Sequence, residues 1–195
     1  MAFPTPGSLT AEEYLERERA AEFRSEYWLG QTCAMSGATE AHEMIVSNLS
    51  RHTQNALAGT GCRVFSSNMK VGVTKKRGFA YPDLTITCGD RRFFDSVRDV
   101  LMNPVVIFEV LSDSTRGFDL GEKFREYQRL ESLRHYVLVE QDVRAVTHFE
   151  RSSDGEWLYK SLTAADHVLH LTAAASISLT LSQIYEDVAV RVIED

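Results

Sequence analysis

The stretch NPVVIFEVLS, Asn103 to Ser112, decides the fold. Val105, Val106, Ile107 and Phe108 run without polar alternation, and Val110 and Leu111 continue the run after a single acid, Glu109. A strand apolar on both faces is covered on both sides and belongs at the centre of a sheet. An unpaired ionised carboxylate in a dry core costs several kcal/mol. Glu109 must therefore be protonated, paired or hydrogen-bonded, or must lie where the sheet opens to solvent.

Just upstream, AYPDLTITCGD (Ala80 to Asp90) places a second acid, Asp83, at the edge of a short strand. Pro82 suits that position, because the first residue of a strand can lack an N–H. If the strands pair, their backbones lie about 4.8 Å apart. Both carboxylates then reach one ion, and hard divalent cations take oxygen ligands.

Downstream, DLGEKFREYQRLE predicts a helix with Leu120, Phe124, Tyr127 and Leu130 on one stripe and Asp119 near its start as a cap. HYVLVE reads as the next buried strand, so strand, helix, strand predicts a parallel crossover. AVTHFERSSDGEWLYKSL predicts a hairpin turning at Asp154-Gly155, and TLSQIYEDV a short closing helix. Upstream, Ser8 or Thr10 caps a helix to about Ala20, with Thr10 and Glu13 at capping-box spacing. EYWLGQTCAMSG predicts two strands around Gly30. TEAHEMIVSNLSRHTQNALAGTG predicts a helix with Ile45, Leu49, His52, Ala56 and Leu57 near one stripe, ended by Gly59 and Gly61. CRVFSSNMKVGVTKK reads as one extended or bent strand. The sum is an α/β domain, a mixed sheet with helices on both faces, spanning residues 1–195 behind a flexible head around Pro4–Gly7.

The composition is that of a globular protein: 44% apolar and 25% charged residues in 195. No run has the length of a membrane span, and the N-terminal residues lack the apolar stretch of a secretory signal. Cys33, Cys62 and Cys88 are odd in number and form no Cys-x-x-Cys pattern, which predicts free thiols in a reducing cytoplasm. The net charge of −7 argues against a whole-surface nucleic-acid binder but leaves room for a local basic patch. Lys70, Lys75, Lys76 and Arg77 form such a run, either as a solvated hairpin tip or as a grip on phosphates. No histidine spacing suits zinc, and no phosphate-binding glycine loop or nucleophile elbow occurs.

Pro82-Asp83, followed by a strand bearing an acid, resembles the PD-(D/E)xK nuclease superfamily. The simple motif wants lysine two residues after the acid, and Leu111 stands there instead. The ordered set YPDLTI, NPVVIFEVLSDST, DLGEKFREY, HYVLVE, with EYWLGQTCAMSGATEAHEMIVSNL before it, is similar to the Uma-two family of restriction-endonuclease-like proteins over nearly the whole chain. The resemblance implies a restriction-endonuclease-like core with an added N-terminal helix and hairpin and a C-terminal hairpin. It implies a Mg²⁺- or Mn²⁺-dependent endonuclease acting on DNA, with Asp83 and Glu109 holding the ion beside the Val110 backbone carbonyl. The missing lysine is then supplied from the following helix by Lys123. Without the resemblance, Lys123 is equally an i,i+4 surface partner of Asp119.

Glu26 matches the family's early acid, as an outer metal ligand or a solvent-facing strand residue. His42 matches its histidine, touching a substrate phosphate, tuning the site, or bonding a neighbouring backbone group. Ser112, Ser114 and Thr115 line the mouth of the site or make a polar turn. The resemblance also suggests a homodimer, with Trp28, Trp157 and Tyr159 exposed on hairpins. A second function remains open, a non-catalytic nucleic-acid-binding or regulatory protein on a nuclease fold.

Overall fold

In a computed structural model the protein is described over residues 9–35, 37–172 and 175–193. The expected head, the candidate cap Ser8 and the Ser36 of the front motif lie outside the described residues. Thr10 caps α1, Ala11–Ala20, with the reciprocal Glu13 bond that its spacing predicts. The hairpin β1 (Ser25–Trp28) and β2 (Gln31–Ala34) turns at Leu29-Gly30, and Gly30 sits at φ 94, where only glycine is unstrained. Thr39 caps the long helix α2, Glu40–Ala56, whose apolar side buries Ile45 and Leu49.

The segment expected as one bent strand is two strands in different sheets. β3 (Cys62–Ser66) ends in a turn in which Met69 N–H donates to Ser66 O, and β4 (Lys70–Thr74) leaves in another layer. β4 turns back into β5, Gly78–Ala80, and β6 follows at Leu84–Cys88. β7 (Val100–Leu101) precedes the central strand β8, Val106–Leu111, which is buried at every residue as its composition predicts. β9 (His135–Glu140) lies parallel to β8, so the predicted crossover is present. β10 (Val146–Arg151) and β11 (Trp157–Leu162) make the expected hairpin, with Gly155 at φ 86. A further hairpin, β12 (Val168–Leu171) with β13 (Ile177–Thr180), has no counterpart in the sequence reading.

The main sheet runs β11-β10-β9-β8-β6-β3, and a second runs β2-β1-β5-β4-β7. One face of the main sheet packs Leu84, Ile86, Val106, Phe108 and Val110 against α2, the β12–β13 hairpin and α5, Leu181–Ile184. The other face packs Ile107, Leu111, Tyr136 and Leu138 against Val71, Val73 and Ala80 of the second sheet and against a helical crossover. That crossover is not a uniform helix. It runs α3 (Arg116–Phe118), a π-helical segment (Asp119–Lys123) and α4 (Phe124–Tyr127). The π segment buries Asp119 and Lys123 and leaves Leu120 37% exposed, so Leu120 drops out of the predicted stripe. Asp119 is no cap either: the first helical residue is Arg116, and Asp119 lies one turn inside, 3% exposed.

Two further expectations are corrected. Cys62 and Cys88 are opposite partners in the β3–β6 ladder and form a disulfide, leaving Cys33 as the free, exposed thiol. Trp28 and Trp157 are half-buried, packed edge-on to Tyr127 and Phe124, while Tyr159 is exposed.

Candidate active site

β6 and β8 are antiparallel, and their last paired rung is Leu84 with Phe108. Asp83 precedes Leu84 and Glu109 follows Phe108, so each acid lies one residue beyond that rung. Asp83 meets His42 of α2, whereas Glu109 meets Lys123 and Tyr127 of the crossover. At this point the backbone ladder stops and the Asp83 side chain takes over. Its Oδ2 accepts the Val110 N–H at 2.7 Å. In an extended strand a residue's N–H and C=O point to the same neighbour, so the Val110 carbonyl faces the Asp83 side too.

Glu109 answers the question set by its apolar surroundings. Its Oε1 lies 3.0 Å from Lys123 Nζ and accepts the Tyr127 hydroxyl at 3.1 Å. The π segment brings Lys123 inward, to 6% exposure of its side chain, where its ammonium also meets Glu26 Oε1 at 3.2 Å and Asp119 Oδ1 at 3.2 Å. Of these contacts the one to Glu26 has hydrogen-bond geometry, and Glu109 and Asp119 are ion-pair neighbours of the same ammonium. Burial holds Glu109 well above the usual carboxylate range against the pull of Lys123. Burial alone would lower the Lys123 pKa, but the charges of Glu109 and Glu26 outweigh it and hold the ammonium protonated.

His42, one turn into α2, reaches Asp83 Oδ2 with Nε2 at 3.3 Å. Its backbone N–H donates to the Thr39 cap, and its buried Nδ1 has no hydrogen-bond partner among the described residues, with Glu43 Oε1 3.9 Å away. Burial pushes the imidazole pKa down, while the hydrogen bond and charge of Asp83 raise it, and the net direction is up.

The remaining predicted residues separate from this cluster. Glu26 turns to Lys123, Tyr81 N–H and Trp28 Nε1. Lys70 is buried, paired with Asp99 at 3.0 Å and donating to the Tyr81 hydroxyl at 3.2 Å. Arg77 binds both carboxylate oxygens of Glu126 at 2.7 Å. Lys75 and Lys76 are exposed in the β4–β5 turn and, among the described residues, make no ion pair. The basic run is thus half spent on the fold. Ser112 Oγ receives the Thr115 N–H at 3.3 Å within the polar turn after β8. A cleft of about 590 Å³ beside the start of α2 is bordered by Thr39, Asp113, Gln141 and Arg191, and none of the predicted site residues lines it. The sequence reading missed Tyr127 as a donor to Glu109, having placed it in the apolar stripe. The available signal was its position four residues after Lys123, on the same helical side.

The donors suit a hard cation. Mg²⁺ is held by one or two carboxylates, keeping several waters, rather than by an all-protein cage. Among the described residues no group of three or more acidic, histidine or cysteine side chains is placed to hold a metal, so Asp83 and Glu109 are a pair without a third protein acid.

A mixed sheet covered on both faces, its parallel pair joined by a helical crossover, has the restriction-endonuclease-like fold. A crystal structure described as "a putative nuclease belonging to DUF820", from Anabaena variabilis, has the same fold, with a TM-score of 0.74 and 16% identity over 91% of this chain and 97% of that one. The chain belongs to the Uma2 family, whose model, described as "Putative restriction endonuclease", matches residues 11–182. Two Synechocystis proteins described as uncharacterized, sll1609 and slr1290, are each 33% identical to it. The first match spans 83% of this chain and 92% of the relative, the second 82% and 83%.

Proposed function

We propose that the protein is a divalent-metal-dependent endonuclease that hydrolyses phosphodiester bonds in DNA. The observation that carries this reading is that Asp83 and Glu109 each lie one residue past the last β6–β8 rung, with Asp83 Oδ2 on the Val110 N–H and Lys123 Nζ 3.0 Å from Glu109. Asp83, Glu109 and the Val110 carbonyl would hold Mg²⁺ or Mn²⁺. When bound, the cation lowers the pKa of a water and neutralises charge on a phosphate oxygen. Hydrolysis forms one P–O bond from water and breaks another, leaving a phosphomonoester end and a hydroxyl end. Lys123 supplies a fixed positive charge for the negative charge that builds on phosphorus-bound oxygen. His42 and the Val110 N–H steady Oδ2 of Asp83, the carboxylate that would help hold the ion. The exposed Lys75 and Lys76 are the phosphate grips that remain from the basic run.

The test is nicking of a supercoiled plasmid in Mg²⁺ or Mn²⁺. Asp83→Ala and Glu109→Ala each lower the rate by about 100-fold or more, the scale of losing a charge-stabilising group. Equal nicking by these variants and the parent protein would remove both acids from the mechanism. The missing third acid favours one rival, a nuclease fold that binds nucleic acid without cutting it. Calorimetry with Mn²⁺ separates the two: the enzyme binds the ion and loses it in Glu109→Ala, whereas the rival shows no binding that depends on Glu109.

A further inference from the structure

We propose that Glu26 is a positioning residue that holds the Lys123 ammonium at Glu109, and is not a ligand of the cation. The inference rests on the nuclease reading above and deepens it. Every hydrogen bond Glu26 accepts is accounted for by the protein. Its Oε1 takes Lys123 Nζ at 3.2 Å and Tyr81 N–H at 3.1 Å, and its Oε2 takes Trp28 Nε1 at 3.0 Å.

The three carboxylates around Lys123 are not equivalent. Asp119 belongs to the same π segment and moves with the lysine. Glu109 is the group that the reaction draws toward a cation. Glu26 ties the ammonium to a separate, paired strand without being one of the two acids proposed for the ion. β1 is paired on both sides, with β2 through Glu26 itself and with β5 through Tyr27 and Trp28. Trp28, which fixes Oε2, is wedged between Gly78 and the Tyr127 ring. When Glu109 turns to an ion, Lys123 keeps its place through Glu26.

The experiment uses Glu26→Gln, which preserves shape and removes the charge. In the metal-free protein, acetylation of Lys123 by acetic anhydride, followed by peptide mass, speeds up, since a carboxylate that favours its charged, unreactive form has been removed. Mn²⁺ binding by calorimetry persists, since Glu26 touches the ammonium and not the ion, whereas removing an oxygen ligand abolishes it. In nicking, kcat falls by roughly 10-fold or more with KM unchanged. The pair Glu26→Gln with Lys123→Gln is no slower than Lys123→Gln alone, because Glu26 acts only through the lysine. If Glu26→Gln fails to fold because Trp28 Nε1 has lost its acceptor, Glu26→Gln with Trp28→Phe carries the same measurements.

Loss of Mn²⁺ binding with unchanged Lys123 reactivity makes Glu26 a ligand and overturns the proposal. So does an additive double variant. If the parent protein cuts no DNA, the nuclease reading fails, yet the reactivity of Lys123 in the metal-free protein still decides the role of Glu26.

Discussion

Lys123 shows how far single residues can be read from the chain. Its spacing from Asp119 describes an ordinary exposed pair worth a few tenths of a kcal/mol, and the pair is present at 3.2 Å. Its burial and its contact with Glu109 depend on a π turn that no spacing rule announces. Glu109 was legible because a carboxylate in an apolar run demands a partner, but the identity of Tyr127 as one of those partners was not. The buried pair His135 and His148 was not legible at all, since the two lie on neighbouring strands and join only through the β9–β10 register.

His135 Nε2 accepts the Thr172 N–H at 3.1 Å, so its Nδ1 carries a proton and donates to His148 Nε2 at 2.9 Å. Burial pushes both pKa values down to about 4. An unfolded histidine titrates near 6.5. Between those values the unfolded chain binds more protons, so this contribution is complete above about pH 6.5 and is lost as pH falls toward 4. Thermal melts from pH 7 to 4.5 will show a falling Tm. His148→Gln keeps an acceptor for His135, removes one titrating ring and cuts the pH slope by roughly half.

At the level of elements, periodicity located most of the strands and helices that it was asked to find. It failed where the period changed or where a turn lacked glycine and proline. Ser67, Asn68 and Met69 divide β3 from β4 without either residue, so one long strand was the natural reading. The pairing of β1 with β5 is another feature beyond local pattern, and it has an exacting contact. A Cβ added at Gly78 would lie 2.5 Å from the Trp28 ring, which is too rigid to yield. Gly78→Ala is expected to cost about 1–3 kcal/mol, measured by urea unfolding, and to raise Lys123 reactivity by disturbing the residue that holds Glu26.

For the whole molecule, the layered α/β plan followed from one doubly apolar strand and the crossover after it, while the second sheet did not, because its pairings join distant segments. The Cys62–Cys88 link was hidden for the same reason: the cysteines are 26 residues apart and meet only through the β3–β6 register. Closing a loop of that length is worth about 3.5 kcal/mol in the chain-entropy account. Reduction, or Cys62→Ser with Cys88→Ser, should lower the unfolding free energy by about that amount in denaturant titrations, and an unchanged midpoint would show that the link does not constrain the unfolded chain.

The Asp83 carboxylate stands in for a missing backbone rung. Fraying of that corner of the sheet and parting of the two acids are therefore a single event. Whatever pries β6 from β8 at its tip also dismantles the place where an ion would sit, so the integrity of the pair is guarded by main-chain cohesion rather than by side-chain contacts alone.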